Sequence, residues 1–535
     1  MAPPVVAIGL DAAPLHLIEG WIAQGRLPVL ARLFAAGARA PLTGLESYVA
    51  EQPWPGFLTS LTPERTGYWA PIAFDPQSYR VRETGAYDFR EHPPFYAHCP
   101  GLRAVVFDVP QSPLVAGLAG VQVRGWGAHS QMTASDSQPE GLLAELVARH
   151  GAHPMYERDH AEPWDVAKIR WLRSALLEGL RRRVAIGCEL LQREPFDLFL
   201  TVFSESHVAG HSFWHLSQPD HPFWQERPAS DPLLEVIESV DAAVGELWAA
   251  APPGARLVLF SLHGMQANAL DLPTMVFLPE LLYRMSAPGR FGLAKGRVGA
   301  PLASTAPAQA LPFLDEIWAR KHDWNPLRRR ARRRGVRASR RIERRLGSGR
   351  GPANPEEFPE LRFMPATWYG NLWPAMPAFA LPSFGQGHVR VNLRGRERDG
   401  VVDPADYDAV LSRVTEQVAQ MQNPRTGKPL ARRVWRSRGS ALERDPKLPE
   451  ADLVVVWEGE PCEAADCGAF GRIGPIPFHR SGSHTPDGFV VVAGPGIDGG
   501  IRPGGSHLDL GPTLLRLAGA PVPEGLDGAP IPFGV

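Results

Sequence analysis

Short apolar runs recur along the first half of the chain, each coupled to a longer stretch whose apolar residues fall three and four positions apart. Val5 to Leu10 is such a run, and it precedes Leu15 to Ala36, which has helical spacing. Ala104 to Val109 and Phe196 to Phe203 are further strand candidates, the second following the helical stretch Trp164 to Leu191. Leu234 to Ala250 reads as a helix leading into the strand Arg256 to Phe260. Apolar runs without polar alternation suit strands buried on both faces, and their alternation with helices predicts an α/β domain with a largely parallel sheet.

The rhythm breaks after about Met275. Residues 276–380 are rich in Pro, Gly and Arg, with Trp324, Trp368 and Trp373 scattered among them, and read as an insertion or cap. Alternation returns at His388 to Leu393, followed by a helix from Pro404 to Met421, strands at Asp452 to Trp457 and Phe489 to Ala493, and a closing helix from Leu508 to Leu517. The organisation expected is therefore a first part of the core over 1–275, the cap over 276–380, and a second part over 381–535 that includes a small hairpin-helix segment.

Composition adds limits. A chain of 535 residues, 44% hydrophobic and 21% charged, can bury one large core or two ordinary ones. The net charge of -1 conceals an asymmetry, because Lys321 to Arg350 holds 13 of the 56 basic residues. The run Arg328 to Arg345 within it could grip nucleic acid or an anionic membrane surface, or steer an anionic substrate, but reads better as a solvated helix in a variable insertion. Nucleic acid is thus not the expected partner. No apolar stretch approaches 18 residues, which argues against a membrane span, and the first residues lack the order of features of a secretory signal. Cys99, Cys188, Cys462 and Cys467 are too few and too scattered for a disulfide framework, so a reducing cytoplasm fits.

The candidate chemistry lies at strand ends. Asp11 closes the first run, His207 and His211 follow Phe203 by a few residues, His263 follows Phe260, and His484 sits in Gly482-Ser483-His484-Thr485-Pro486-Asp487-Gly488. In an open parallel sheet ligands bind at the carboxyl edge of the strands, and imidazoles with a carboxylate suit a transition metal. For His215, His221 and His479 the bland reading, a hydrogen-bonded core residue, is preferred.

These blocks, in order, resemble the alkaline phosphatase superfamily, in its type I phosphodiesterase and nucleotide pyrophosphatase branch. The resemblance rests on Gly9-Leu10-Asp11, the Trp54 to Gly67 block, His207 to His211, Ser261-Leu262-His263-Gly264-Met265, His484 to Gly488, Gly494-Pro495-Gly496-Ile497 and the tail Asp509 to Leu517. It implies an alkaline-phosphatase-like layered α/β/α core with an inserted cap, and two metal ions, usually zinc, bridging a nucleophilic Thr or Ser. By position, His207, His211 and His484 correspond to one site, with His207 where the family usually has Asp. Three neutral imidazoles suit zinc, with iron, nickel or cobalt also compatible. Asp11 and His263 match the other site, but Leu262 stands in place of its paired Asp and the nucleophile position falls on or near Ala50.

Missing two such groups, the second site holds metal weakly and a covalent Thr or Ser intermediate is not expected. Water or a substrate hydroxyl activated by a single metal then becomes the nucleophile, with Glu205, Glu46 or Glu51 as general base and Ser47 as the nearest hydroxyl. The function expected is metal-dependent hydrolysis of a phosphate ester, phosphodiester or related small anionic ester. A repurposed transferase or lyase of specialised metabolism, or a non-catalytic binding protein, are the alternatives.

Overall fold

The computed structural model describes residues 2–50, 52–85, 91–127, 134–156, 166–221, 230–302, 313–322, scattered positions between 325 and 338, 364–478 and 480–534. Its largest sheet has ten strands. From edge to edge they run Gly500–Ile501, Ala38–Thr43, Asp487–Ala493, Arg256–Ser261, Val5–Leu10, Leu198–Phe203, Arg103–Phe107, Ala119–Arg124 and Asp136–Gln138, with Gly505–Ser506 pairing beside Ala38–Thr43. Only Asp487–Ala493 and Asp136–Gln138 run against their neighbours, so the sheet is mostly parallel.

The central strands are buried on both sides, which is why they read as unbroken apolar runs. Val6, Ile8 and Leu10 point into one cluster with Phe199, Phe203, Leu257 and Leu259, under the helices Val166–Arg193 and Pro232–Ala250. Val5 and Ala7 point the other way, to Leu198, Leu200, Val258 and Phe260, under Pro53–Thr59 and Leu510–Leu517. The alternation of side chains along a strand thus divides each run between two helical layers. With each fully buried Val, Leu, Ile or Phe worth about 1.5–3 kcal/mol, both faces contribute to holding the sheet.

Two boundaries differ from expectation. The single helix expected over Leu15 to Ala36 is two, Leu15–Ala23 and Pro28–Ala36. Gly25 adopts φ +72° just past the first, and Pro28, which has no N–H to donate, opens the second. The strand expected to reach Val109 ends at Phe107 because Asp108 takes φ +53°, a left-handed conformation.

A second sheet of four antiparallel strands, in the order Ala378–Leu381, Gly387–Val391, Leu453–Trp457 and Ala431–Arg436, organises another apolar cluster. Leu278–Ser286, Phe313–Trp318 and Pro365–Ala375 pack there, as does the hairpin Ile72–Asp75 and Arg80–Glu83. The described part of the 276–380 stretch and the segment following it therefore share one sheet, with a strand pair spanning position 380. Trp164, Trp324, His479 and most of the basic run lie outside the described residues. Among the described residues no helix is long and apolar enough to cross a membrane.

Candidate metal centre

The carboxyl ends of three central strands are tied together by hydroxyls. Ser206 Oγ donates to the carbonyl of Asp11 at 2.8 Å, and Ser261 Oγ donates to that of Leu10 at 2.7 Å while accepting from the amide of Ala13 at 3.0 Å. Between these ties Ala12 takes φ +51°, uncommon for a residue with a Cβ, and turns the chain sharply after Asp11.

The strand Leu198–Phe203 leads within two residues into the helix Glu205–Ser217, where His207 and His211 stand one turn apart on the same side. His484 comes from a separate ribbon, Gly482–Thr485, paired antiparallel with Gly264–Ala267 so that His484 lies opposite Met265. The ribbon reaches the helix because Gly482 has no side chain: a Cβ there would lie 2.3 Å from the carbonyl oxygen of Gly210. Contact is sealed by the amide of Ser481, which donates to the carbonyl of His211 at 2.8 Å.

These elements bring the three imidazoles together. Ring centroids are 4.4 Å apart for His207 and His211, 4.8 Å for His211 and His484, and 5.1 Å for His207 and His484. One ligand atom from each can be chosen so that all lie within 4.8 Å of one another. The Nε2 atoms of His207 and His211 are 3.0 Å apart, near the roughly 3.3 Å edge of a tetrahedron whose metal–nitrogen bonds are about 2.05 Å. His211 Nδ1 donates to the carbonyl of Gly482 at 2.7 Å, so its proton is on Nδ1 and the Nε2 lone pair is available. Donor set and spacing both fit a divalent transition metal such as zinc.

Asp11 and His263 lie beside this cluster. His263 Nε2 is 3.6 Å from Asp11 Oδ1, and its ring centroid is 4.6 Å from that of His484. Trp54 Nε1 donates to the same Asp11 oxygen at 3.2 Å. Leu262 packs with Trp54, Phe57 and Phe260, in an apolar setting that offers no ligand. All five residues expected to bind metal thus occupy one region, with the trio the tighter group.

The acid–base candidates fare differently. Glu205 requires a correction: its side chain is fully buried and its carboxylate accepts from Arg183 Nε at 3.0 and 3.1 Å, with His153 Nε2 at 3.1 Å. Burial pushes its pKa up, but the Arg183 guanidinium and the His153 hydrogen bond outweigh this and hold it at about 2. A carboxylate so held is a poor proton acceptor. Ser47 lies on the short turn Glu46–Tyr48, where its Oγ accepts from Arg433 of the second sheet at 3.4 Å, and Glu46 pairs with Arg432 and Arg433. Glu51 is outside the described residues. His215 and His221 are buried; burial lowers their pKa to about 3 and about 4, and His215 Nδ1 bonds Ser481 Oγ at 3.0 Å.

Three residues passed over in the sequence also belong to this region. Arg480 Nη1 donates to His211 Nε2 at 3.1 Å, and Asp271 holds the guanidinium. His507 is buried against Gly56, and burial lowers its pKa to about 4, with the charge of His263 adding to the effect. Arg480 stands four residues before His484, a visible signal; nothing in the sequence pairs Asp271 with it.

Comparisons with known proteins bear on the fold and the family. No curated protein matches the chain. Among solved structures, phosphonoacetate hydrolase from Sinorhizobium meliloti 1021 in complex with phosphonoformate is 13% identical, with a TM-score of 0.50 over 97% of this chain and 96% of that one. Murine ectonucleotide pyrophosphatase / phosphodiesterase 5, an inactive form in complex with AMP, is 11% identical, with a TM-score of 0.47 over 97% and 96%. The human counterpart is 11% identical, with a TM-score of 0.48 over 98% and 97%. The likeness to the first shows a shared fold. The family described as type I phosphodiesterase / nucleotide pyrophosphatase matches residues 5–332, a span holding Asp11, His207, His211 and His263. With more than half of its length matched, the chain belongs to the type I phosphodiesterase / nucleotide pyrophosphatase family, within the alkaline phosphatase superfamily.

Proposed function

We propose that the chain is a metal-dependent hydrolase of a phosphate ester, phosphodiester or related anionic ester, acting without a Thr or Ser nucleophile. The observation that carries this reading is the convergence of His207, His211 and His484, from two elements distant in sequence, at the carboxyl edge of the sheet. Those three would hold one ion, zinc by ligand type. Bound there, the ion supplies a Lewis acid that polarises a phosphoryl oxygen and acidifies water.

The chain's own residues set the rest. His211 is locked in the correct tautomer by Gly482, so its Nε2 is presented without a reorientation cost. Asp11 and His263 offer two ligands, too few to hold a second ion tightly unless water or substrate completes the shell. Ala50 has no lone pair with which to attack phosphorus, and Glu205 is committed to Arg183. Attack by water follows from what these positions lack. The same absence favours a second reading, transfer to a substrate hydroxyl, which differs only in the acceptor.

His211→Ala tests the proposal. Anomalous scattering and metal analysis should find one tightly held ion in the parent and most of it lost in the variant, with phosphate-ester hydrolysis lost in parallel. Full activity in His211→Ala would place the chemistry elsewhere. Turnover in labelled water separates the two acceptors, since only hydrolysis carries the label into phosphate.

A further inference from the structure

Arg480 places a cation directly beside the imidazole cluster. Its Nη1 donates to His211 Nε2 at 3.1 Å, the nitrogen left available when Nδ1 is given to Gly482. Asp271 grips the other edge of the guanidinium with two bonds, Nε to Oδ2 and Nη2 to Oδ1, each 2.9 Å. Asp271 is itself 1% exposed and fixed by Asn268, whose Nδ2 donates to Oδ2 at 2.8 Å and to the carbonyl of Arg480 at 2.9 Å. A buried carboxylate, itself hydrogen-bonded, thus aims a planar fork at the cluster, and the arginine side chain keeps 18% of its surface open.

A metal ion and Arg480 want the same lone pair of His211. Once that pair is given to metal, the guanidinium loses an acceptor and two positive charges stand side by side. A carboxylate is supplied behind Arg480, and none is supplied between it and the imidazoles by any of these contacts. An anion bridging the two cations removes both penalties.

We propose that Arg480, oriented by Asp271, binds a non-bridging oxygen of the phosphoryl or phosphonyl group at this site. The assignment rests on the metal-dependent reading above. Asp271 is a positioning residue that acts through Arg480. Removing the guanidinium then has two effects of opposite sign: anion binding weakens, while metal binding is retained or strengthened because a competitor for Nε2 is gone.

Calorimetric titration of inorganic phosphate into the zinc-loaded parent, Arg480→Ala and Arg480→Lys tests this, with zinc affinity measured separately for each. Expected are at least a tenfold loss of phosphate affinity in Arg480→Ala, partial recovery in Arg480→Lys, which keeps the charge but not the fork, and zinc affinity no weaker than in the parent. Phosphate affinity unchanged in both variants overturns the proposal. So does a matching loss of zinc, which would make Arg480 a support of the ligand set. Should Arg480→Ala fail to fold, the lysine variant decides by the same two readings. If the zinc-loaded parent binds phosphate through Arg480 yet hydrolyses no phosphate ester, the anion site stands and the hydrolase reading falls; if the parent binds no zinc, both fall.

Discussion

Glu205 and His207 lie two residues apart on one helix and meet opposite environments. Glu205 faces inward, fully buried against Arg183, whose guanidinium also reaches Asp108 Oδ2 at 2.9 Å and lies over the Trp126 ring at 5.1 Å. His207 faces the rim, beside His211 and His484. The inward network anchors the first turn of the helix that carries the outward ligands. Breaking a buried pair by removing one partner costs about 3–5 kcal/mol, so Glu205→Gln should show a loss of that order in denaturant unfolding. The folded pKa of Glu205 lies below its ordinary value, so its contribution is full above about pH 4.5 and is lost as pH falls towards 2. His388 works over a higher window. Burial lowers its pKa to about 4, so it stays neutral in the folded protein while the unfolded chain takes up a proton below about 6.5. Between those values stability should fall by up to about 1.4 kcal/mol per pH unit on its account. His388→Phe, measured by acid unfolding beside the parent, should flatten that slope.

At the scale of elements, the site depends on a backbone contact between the helix Glu205–Ser217 and the ribbon Gly482–Thr485. Gly482 permits it, since a Cβ would overlap the carbonyl oxygen of Gly210, and backbone atoms cannot swing aside as a flexible side chain can. Gly482→Ala should therefore separate His484 from His207 and His211. The expected outcome is a fall in zinc affinity of at least tenfold, comparable with the loss on removing a support of a metal ligand, with smaller effects on far-ultraviolet circular dichroism. Zinc affinity equal to the parent's would show that the ribbon tolerates a wider spacing.

Across the whole molecule, metal binding couples segments that are far apart in sequence, because the trio draws one ligand from residue 484 and two from near residue 210. An ion that binds only the folded state stabilises it by about 2.7 kcal/mol at a hundredfold excess over Kd. Zinc should raise the thermal midpoint of the parent, a chelator should reverse the rise, and His211→Ala should show neither change. The βα rhythm of Val5 to Leu10, Phe196 to Phe203 and Arg256 to Phe260 was enough to predict a largely parallel sheet, since strands covered on both faces leave unbroken apolar runs. The five residues expected at the metal site were legible for a related reason: each follows such a run, and the carboxyl edge of a parallel sheet gathers whatever follows its strands. Direction was not legible. A carboxylate next to a histidine on the same turn looks equally available in sequence, and only packing against Arg183 and His153 turned Glu205 inward. The pairing of Asp271 with Arg480 joins positions 209 apart, which no periodicity records. Sequence by itself determined the strands, the order of the sheet-forming runs and the residues that reach its rim, because burial and chain connectivity are local properties. Tertiary structure decided which of those residues face one another and which are consumed by buried partners, because distance and desolvation exist only once remote segments meet.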